Sequence, residues 1–246
     1  MVSRQQQLLV PTKGGAFTYA DKVLGMGPIR YWPLWDTAGA AAEELVVGDD
    51  GTYVGATLGA ATAPDGSPCP LFDGINDYVH IWSALFAAAF NGQEGSLFLW
   101  TQVFNLGVWV DGVQRNEMGI VTGPGANDIN MFKSVAVNTH SFQYFAGGVG
   151  LGQNTGGIAD VVWAHAGLTW SLSAPPTGEV RYYRYGLPDG PMDVGLGAWV
   201  GAPINGWTLI GARSVAPLSP YHGWLSHAAI WDRPLTPAEI AELATV

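Results

Sequence analysis

The feature that most constrains this sequence is a rhythm of short β-prone segments that recur about every ten residues. The clearest run covers 96–104, 117–123, 129–137 and 140–148, with Gly, Asn and Pro between the segments. That rhythm is typical of a β-sandwich or barrel. The 34 glycines have no collagen-like period, and together with eleven tryptophans they indicate many turns between short strands. We therefore predict an all-β fold.

The chain has 246 residues, of which 48% are hydrophobic, so it can bury a substantial core. No internal repeat and no linker divides it, and all-β chains of this length are often single domains. The strand patterns predict buried side chains at Leu97, Leu99, Val162, Leu168, Leu209 and Ile230. His165 and His227 are expected to be half-buried and hydrogen-bonded within strands.

Charge and composition argue against several classes of protein. The net charge is −10 and no basic cluster appears, so nucleic-acid binding is not expected. A single cysteine, Cys69, excludes disulfides within the chain and a cysteine-cluster zinc site. No run of about 18 apolar residues predicts a membrane-spanning helix. The first 15 residues contain no apolar stretch of the length that a signal peptide needs, so none is expected.

The two ends of the chain differ in pattern. Residues 1–16 are polar, lack periodicity and read as an N-terminal arm, and the lead-in continues to residue 28. The C-terminal stretch predicts a short helix, because Thr236 can cap it, Pro237 suits its first position, and Glu239 completes a capping box. Ile240 and Leu243 would then face the body of the fold.

Four motifs in a fixed order resemble a known family. The resemblance is to the laminin-G-like, concanavalin-A-like jelly-roll family, in the branch that includes pentraxin-like modules. It covers about residues 28–243, and it implies a two-sheet antiparallel jelly-roll sandwich over residues 29–246. The motifs are "YWPLWDTAG" (31–39), "LFDGINDYVHI" (71–81), "VWAHAGLTWS" (162–171) and "GWLSHAAIWDRPLTPAEI" (223–240).

The opening phrase "YADKVLGMGPIRYWPLWDTAG" (19–39) is also similar to bacteriophage virion proteins that carry this module. This resemblance implies a virion component, made in the host cytoplasm, that is tail-associated or decorates the capsid. Its expected partners are other virion subunits or further copies of itself, and host-surface carbohydrate. In the arm, Leu8, Leu9 and Val10 are the side chains that a neighbouring subunit could bury.

The "DGIND" stretch is interpreted as a turn between two strands. Asp and Asn side chains bond to their own backbone in tight turns, which suits Asp73, Gly74, Asn76 and Asp77. The alternative is a calcium loop, but the stretch lacks the downstream bidentate Glu of an EF-hand. The family resemblance implies acids near residues 225–227, where this chain has Leu, Ser and His. Calcium is therefore disfavoured, and no cofactor or metal is expected.

Patterns of catalytic residues are missing. No Glu-x-Asp-x-x-Glu stretch supplies the carboxylates that glycoside hydrolases of this fold use, and no Gly-x-Ser-x-Gly or His-Glu-x-x-His motif occurs. We therefore expect a non-enzymatic structural and binding protein that presents a lectin-like domain. A free carbohydrate-binding lectin module and an unrecognised glycan hydrolase are the alternatives.

Sugar sites use exposed aromatic faces with hydrogen-bonding groups nearby. Trp109 falls in a stretch expected to be a loop or hairpin tip, and the other candidates flank the later loops. For Trp199 and Tyr221, a place in the core or in a protein interface is the competing interpretation. The candidate contacts with a glycan or partner are Trp109, Trp199, Trp207, Tyr221 and His222.

Overall fold

A computed structural model describes residues 18–123, 125–175 and 177–246 of the chain. The arm residues Leu8, Leu9 and Val10 lie outside these described residues. Two antiparallel sheets pack face to face, which confirms the predicted all-β sandwich. The back sheet comprises β1 (Arg30–Trp32), β4 (Thr57–Thr62), β5 (Pro68–Asp73), β7 (Glu94–Val103), β12 (Ala164–Ser171), β13 (Glu179–Arg184), β14 (Leu187–Pro188), β15 (Asp193–Val194) and β17 (His222–Trp231). The front sheet comprises β2 (Ala41–Ala42), β3 (Gly51–Val54), β6 (Tyr78–His80), β8 (Arg115–Val121), β9 (Asp128–Lys133), β10 (His140–Ala146), β11 (Val149–Thr155) and β16 (Leu209–Ile210).

The strand order places distant segments of the chain side by side. The back sheet runs β14-β13-β12-β7-β17-β5-β4, with β1 also on β17 and β15 on β13. The front sheet runs β11-β10-β9-β8-β16-β6-β3-β2. Its β8–β11 half is a meander of consecutive strands, whereas β16 comes from much later in the chain.

Four short helices occur in the described residues. They are α1 (Tyr19–Gly25), α2 (Ala84–Ala89), α3 (Leu106–Val110) and α4 (Pro237–Leu243). The C-terminal prediction is confirmed, since Thr236 and Glu239 form a capping box and Ile240 and Leu243 are buried. Helix α3 corrects the expectation of a loop or hairpin tip around Trp109.

The main core fills the space between the sheets. Leu97, Leu99, Leu168 and Ile230 are buried there, as predicted from alternation along the strands. Leu209 is also buried, but the prediction for Val162 is wrong, since it is 56% exposed. Strand β12 begins only at Ala164, so Val162 still lies in the loop that approaches it.

A second apolar cluster covers the outer face of the back sheet. Helices α1 and α4 pack there, and the Tyr19 hydroxyl donates a hydrogen bond to the Leu243 carbonyl at 2.8 Å. The outward side chains of the strands complete the cluster, among them Phe98, Trp100, Tyr183 and Trp231. The lead-in residues of α1 are thus an integral part of the folded body.

The second cluster also buries His165 and His227, which are 2% and 3% exposed, so the expectation of half-burial is wrong. A register shift between Ser226 and Ala229 in β17 gives His227 a φ of +52°. This bulge brings the His227 ring to the Tyr31 hydroxyl, 2.7 Å away, and within 3.2 Å of Asp65. Burial opposes ionisation of Asp65, but contacts with His227 and Ser67 outweigh it and hold its pKa below the ordinary value.

Candidate functional site

Three of the five aromatic candidates are core residues. Trp109, Trp199 and Tyr221 are 4%, 5% and 0% exposed. The Trp109 indole donates to the Asp160 carbonyl at 2.7 Å, and the Tyr221 hydroxyl lies 2.6 Å from that of Thr101. Their polar atoms are satisfied inside the protein, so these side chains do not form the exposed aromatic surface expected from the sequence.

The other two candidates are half-buried and lie apart in the fold. Trp207 sits in the turn that precedes β16 of the front sheet. His222 begins β17 of the back sheet and stacks on Phe104 with ring centroids 4.8 Å apart. Burial and the neighbouring Arg115 lower the pKa of His222. The five candidates therefore do not converge on one site.

The "DGIND" residues form the turn between β5 and β6. Asp73 accepts the backbone N–H of Ile75 at 2.8 Å, and Asp77 accepts that of Asp73 at 2.8 Å. Gly74 has a φ of +78°, a conformation that glycine adopts without strain. Both carboxylates are thus engaged by the turn itself. Across the described parts of the chain, no three His, Cys, Asp or Glu side chains gather as metal ligands.

No helix in the described ranges is long and apolar enough to cross a membrane. Two depressions occur in the described surface. One lies at an end of the sandwich and the other beside α4.

The end cleft contains a buried Glu–His pair. A register shift in β8 turns Glu117 inward, where His140 lies 2.8 Å away and Thr101 donates to it at 2.9 Å. Within the described residues, Nδ1 of His140 and one guanidinium nitrogen of Arg184 have no hydrogen-bond partner. The cavity is about 10 Å³, which is room for about one water molecule. A sugar ring does not fit there.

The depression beside α4 is larger, at about 250 Å³. Its polar groups are already paired with one another. Arg181 donates two hydrogen bonds to Glu179, at 3.1 and 3.2 Å, and Tyr183 and Thr169 lie together on its floor. A ligand would have to compete with these contacts, so this depression is the weaker candidate.

The outer face of the front sheet carries a row of hydrogen-bonded polar side chains. In β9, Ile129 and Met131 point into the core, so Asp128, Asn130 and Phe132 point outward. The Asn116 amide of β8 donates to Asn130 at 3.0 Å, and Asn130 in turn donates to Asp128. Each of the three polar residues is at least nine-tenths buried, so the row is a support below the surface.

A hairpin at residues 213–218 folds back over this face. The Val215 N–H donates to the Gly206 carbonyl at 3.0 Å, which holds the hairpin against the turn that precedes β16. Its Arg213 forms an ion pair with Asp128 and keeps a side-chain exposure of 24%. Burial raises the pKa of Asp128, and the Arg213 guanidinium opposes that rise. The buried row therefore fixes an accessible guanidinium at its end.

Strand β10 supplies the accessible centre of this face. Gln143 lies opposite Asn130, and its side-chain amide makes no hydrogen bond to any described residue. Phe132 and Phe145 are half-buried on the same face, one on each side of Gln143. The strand rise places these two rings about 14 Å apart.

On the neighbouring edge strand β11, Gly150 and Gly152 face Phe145 and Gln143 and leave the surface beside them open. We call Phe132, Gln143, Phe145 and Arg213 the front platform.

Sequence reasoning missed the front platform. The signal was present in "DINMFK" and "HSFQYFA", where alternate positions form one set of mostly apolar residues and one set of polar residues with phenylalanines. The contribution of Arg213 had no local signal, because it comes from a hairpin about 80 residues away.

No protein-family model matches the chain, and no curated protein matches it. Solved structures are similar in fold. Domain 4 of an extracellular GH43 arabinanase from Geobacillus stearothermophilus, in complex with arabinotriose, is 14% identical with a TM-score of 0.59. The match covers 88% of this chain and 97% of that one.

The sialidase of Trypanosoma rangeli, in complex with sialic acid, is 16% identical with a TM-score of 0.61. That match covers 89% of this chain and 33% of the sialidase, so the chain spans about a third of that protein. These likenesses show that the chain shares a jelly-roll-type β-sandwich fold with those structures, which is the fold that the sequence resemblance implied.

Proposed function

We propose that this protein is a non-catalytic carbohydrate-binding module and that the front platform is its binding face. The observation that carries the proposal is the unpartnered Gln143 amide between Phe132 and Phe145, beside the accessible Arg213. An amide can donate to and accept from sugar hydroxyls at once, and aromatic rings pack against the apolar faces of sugars.

The platform suits a neutral oligosaccharide in our proposal. Two rings about 14 Å apart span more than one sugar unit. Arg213 is already neutralised by Asp128, and the chain carries a net charge of −10, which disfavours an anionic ligand. The arabinanase domain of similar fold is described in complex with the neutral arabinotriose, which supports the choice of that probe.

Catalysis is the competing proposal, and the end cleft would be its place. A glycosidase needs two carboxyl groups on either side of the scissile bond, roughly 5–9.5 Å apart. Glu117 is the one carboxylate that is deeply buried in that cleft, and its two oxygens are held by Thr101 and His140. A volume of about 10 Å³ leaves a scissile bond no room. We therefore favour binding without hydrolysis.

We further propose that the module is displayed on a bacteriophage particle. Its support is the similarity of residues 19–39 to virion proteins, together with the polar arm of residues 1–16. Deleting residues 1–16 should leave the melting temperature unchanged and abolish incorporation into particles. Unchanged incorporation would contradict the role given to Leu8, Leu9 and Val10.

Binding is tested on a glycan array with the full chain, followed by calorimetry with arabinotriose and with N-acetylneuraminic acid. We expect binding to neutral glycans, and at least tenfold weaker binding for Gln143→Ala, about 1.4 kcal/mol. Gln93→Ala is the matched control, because Gln93 is exposed in the turn before β7.

Two outcomes would contradict the proposal. Loss of binding in Arg181→Ala, with Gln143→Ala unaffected, would move the site to the depression beside α4. Release of reducing sugar from a bound glycan, abolished by Glu117→Gln, would replace binding with catalysis.

A further inference from the structure

One end of the sandwich exposes a group of apolar side chains that neither core uses. The loops at 73–77, 104–113, 134–139 and 158–162 meet there. Nine apolar side chains of these loops are exposed by 37–70%. We call these nine residues the apolar tip: Ile75, Phe104, Leu106, Val110, Val113, Val135, Val137, Val161 and Val162.

Hydrogen bonds join these loops into one surface. Asn138 N–H donates to the Trp109 carbonyl, and Ile158 N–H donates to the Asn138 carbonyl, both at 2.9 Å. The Trp109 indole reaches the Asp160 carbonyl at 2.7 Å. The buried Trp109 therefore ties α3 to two neighbouring loops and holds their exposed valines next to one another.

Two buried cations, Lys133 and Arg115, connect the remaining loops. Lys133 is fully buried and bonds to Asp111 at 2.6 Å and to the Val113 carbonyl at 3.0 Å. Arg115 bonds to Asp111 at 2.7 Å and to the Gly74 carbonyl at 3.3 Å. These cations are engaged below the tip, so the positions that project from it are mostly aliphatic.

The area of the apolar tip is that of an interface. Summed over the nine residues, the exposed fractions correspond to an accessible surface on the order of 800 Å². Each partner in a standard-size complex buries about this area. The largest apolar patch of a typical monomer is about 300–600 Å². We propose that the apolar tip is a self-association face on which a second copy of this chain docks by the same surface.

The chemistry of the tip favours a second copy over a membrane. Membrane-surface sites place Lys and Arg around their apolar residues to meet anionic lipid, whereas Arg115 and Lys133 are both buried here. A two-fold contact is closed and limits the assembly to a dimer. Each copy carries a net charge of −10, so added salt should strengthen the dimer by screening this repulsion.

The proposal does not rest on the proposed carbohydrate binding. The front platform lies on the outer face of β9 and β10, and the tip lies at the end of the sandwich. A dimer through the tip would therefore leave both platforms accessible. Two front platforms in one dimer would raise the avidity for a repeating glycan.

The test is sedimentation equilibrium of the full chain at about 5–200 µM, which covers the weak, micromolar end of the affinities that standard-size interfaces show. We expect a dimer that Leu106→Asp and Val137→Asp each weaken at least tenfold, with unchanged melting temperatures because both side chains are exposed. Val200→Asp is the matched control. It is also exposed, at 72%, but its carbonyl accepts a hydrogen bond from Asn127 at the other end of β9.

Four results would overturn the proposal. A wild-type chain that stays monomeric at 200 µM and 0.5 M NaCl would remove it. A dimer that Leu106→Asp and Val137→Asp leave intact would place the interface elsewhere. A dimer that persists in those variants but dissociates on deletion of residues 1–16 would make the arm the contact. Binding of the wild type to phosphatidylcholine vesicles, lost in Leu106→Asp, would make the tip a lipid site.

Discussion

The outer faces of the two sheets both follow from alternation along the strands, but their outward side chains are stabilised in different ways. On the back sheet, Phe98, Trp100 and Trp231 point outward and are sealed by α1 and α4 into a second core. The buried side chains of the four described helices belong to the main core or to the second cluster, and none of them covers the outer face of the front sheet. Asn116 and Asn130 there bond to each other and to their neighbours.

This difference shows which face is available for a ligand. An outward aromatic row needs a cover, because exposed apolar area of that size would be unfavourable in water. On the front face the polar groups of the row bond to one another below the surface, while Gln143 and Arg213 remain accessible. The helices therefore stabilise one face, and the hydrogen-bonded row prepares the other for contact with solutes.

The largest expected effect compares equivalent truncations on the two faces. Phe98→Ala should lower the free energy of unfolding by about 3–5 kcal/mol, because it opens a cavity in the second core. Phe132→Ala on the half-exposed front face should cost about 1 kcal/mol or less, since it removes little buried area. Urea denaturation of both variants measures the difference. Equal losses would show that the faces are equally packed.

Acid should lower the free energy of unfolding through a histidine that is buried on the back face. Burial, with smaller contributions from His227 and Lys22, lowers the pKa of His165 to about 3. An unfolded histidine titrates near pH 6.5. Below that pH the unfolded chain binds a proton that the folded chain does not. This one residue should therefore reduce stability by about 1.4 kcal/mol per pH unit as the pH falls from about 6.5 towards 3.

The variant His165→Phe keeps a flat ring beside Phe98, whose centroid lies 5.2 Å from that of His165. It should flatten the pH profile of the unfolding free energy between pH 6.5 and 4, because it cannot bind a proton. Ile230→Val is the control. It trims the inner face of β17 without altering a titratable group, so it should shift the curve and keep its slope. An unchanged slope in His165→Phe would refute the assignment.

A smaller effect is expected on the front face. A Cβ added to Gly119 would lie 2.6 Å from Oδ1 of Asn130, so Gly119→Ala must displace the amide row. We expect a loss of about 1–2 kcal/mol in stability, as for modest overpacking, with weaker glycan binding. Gly156→Ala is the control, because Gly156 follows the end of β11 and its Cβ would meet no atom within 4 Å. Similar binding losses in both would show that the row has no special role.

How much the sequence could predict depended on the range of the interactions involved. The all-β sandwich and α4 follow from local patterns, namely strand alternation and the Thr236–Glu239 capping box. The bulge at His227 could not be predicted, because it depends on distant residues: the His227 N–H donates to the Pro33 carbonyl at 3.0 Å, and the ring lies near Asp65. The aromatic candidates failed for a related reason. Burial of Trp109 or Tyr221 is decided by which strands become neighbours, and residue type alone does not reveal it.

The front platform lies between these cases. Alternation in β9 and β10 fixes which side chains share a face, so the grouping of Asn130, Phe132 and Gln143 was accessible to sequence reasoning. Which of the two faces is open was not, because that depends on where α1 and α4 pack. Only the folded chain shows that helices cover the outward side chains of one sheet, while Gln143 and Arg213 on the other remain accessible.

The most direct test of the open front face is an NMR titration of the full chain, labelled with ¹⁵N-glutamine, with the best neutral glycan from the array. The side-chain amide signal of Gln143, assigned with Gln143→Ala, should shift and saturate with the calorimetric affinity, while that of Gln93 stays in place. Binding that saturates without moving the Gln143 signal would contradict the account, because the glycan would then be held elsewhere on the protein.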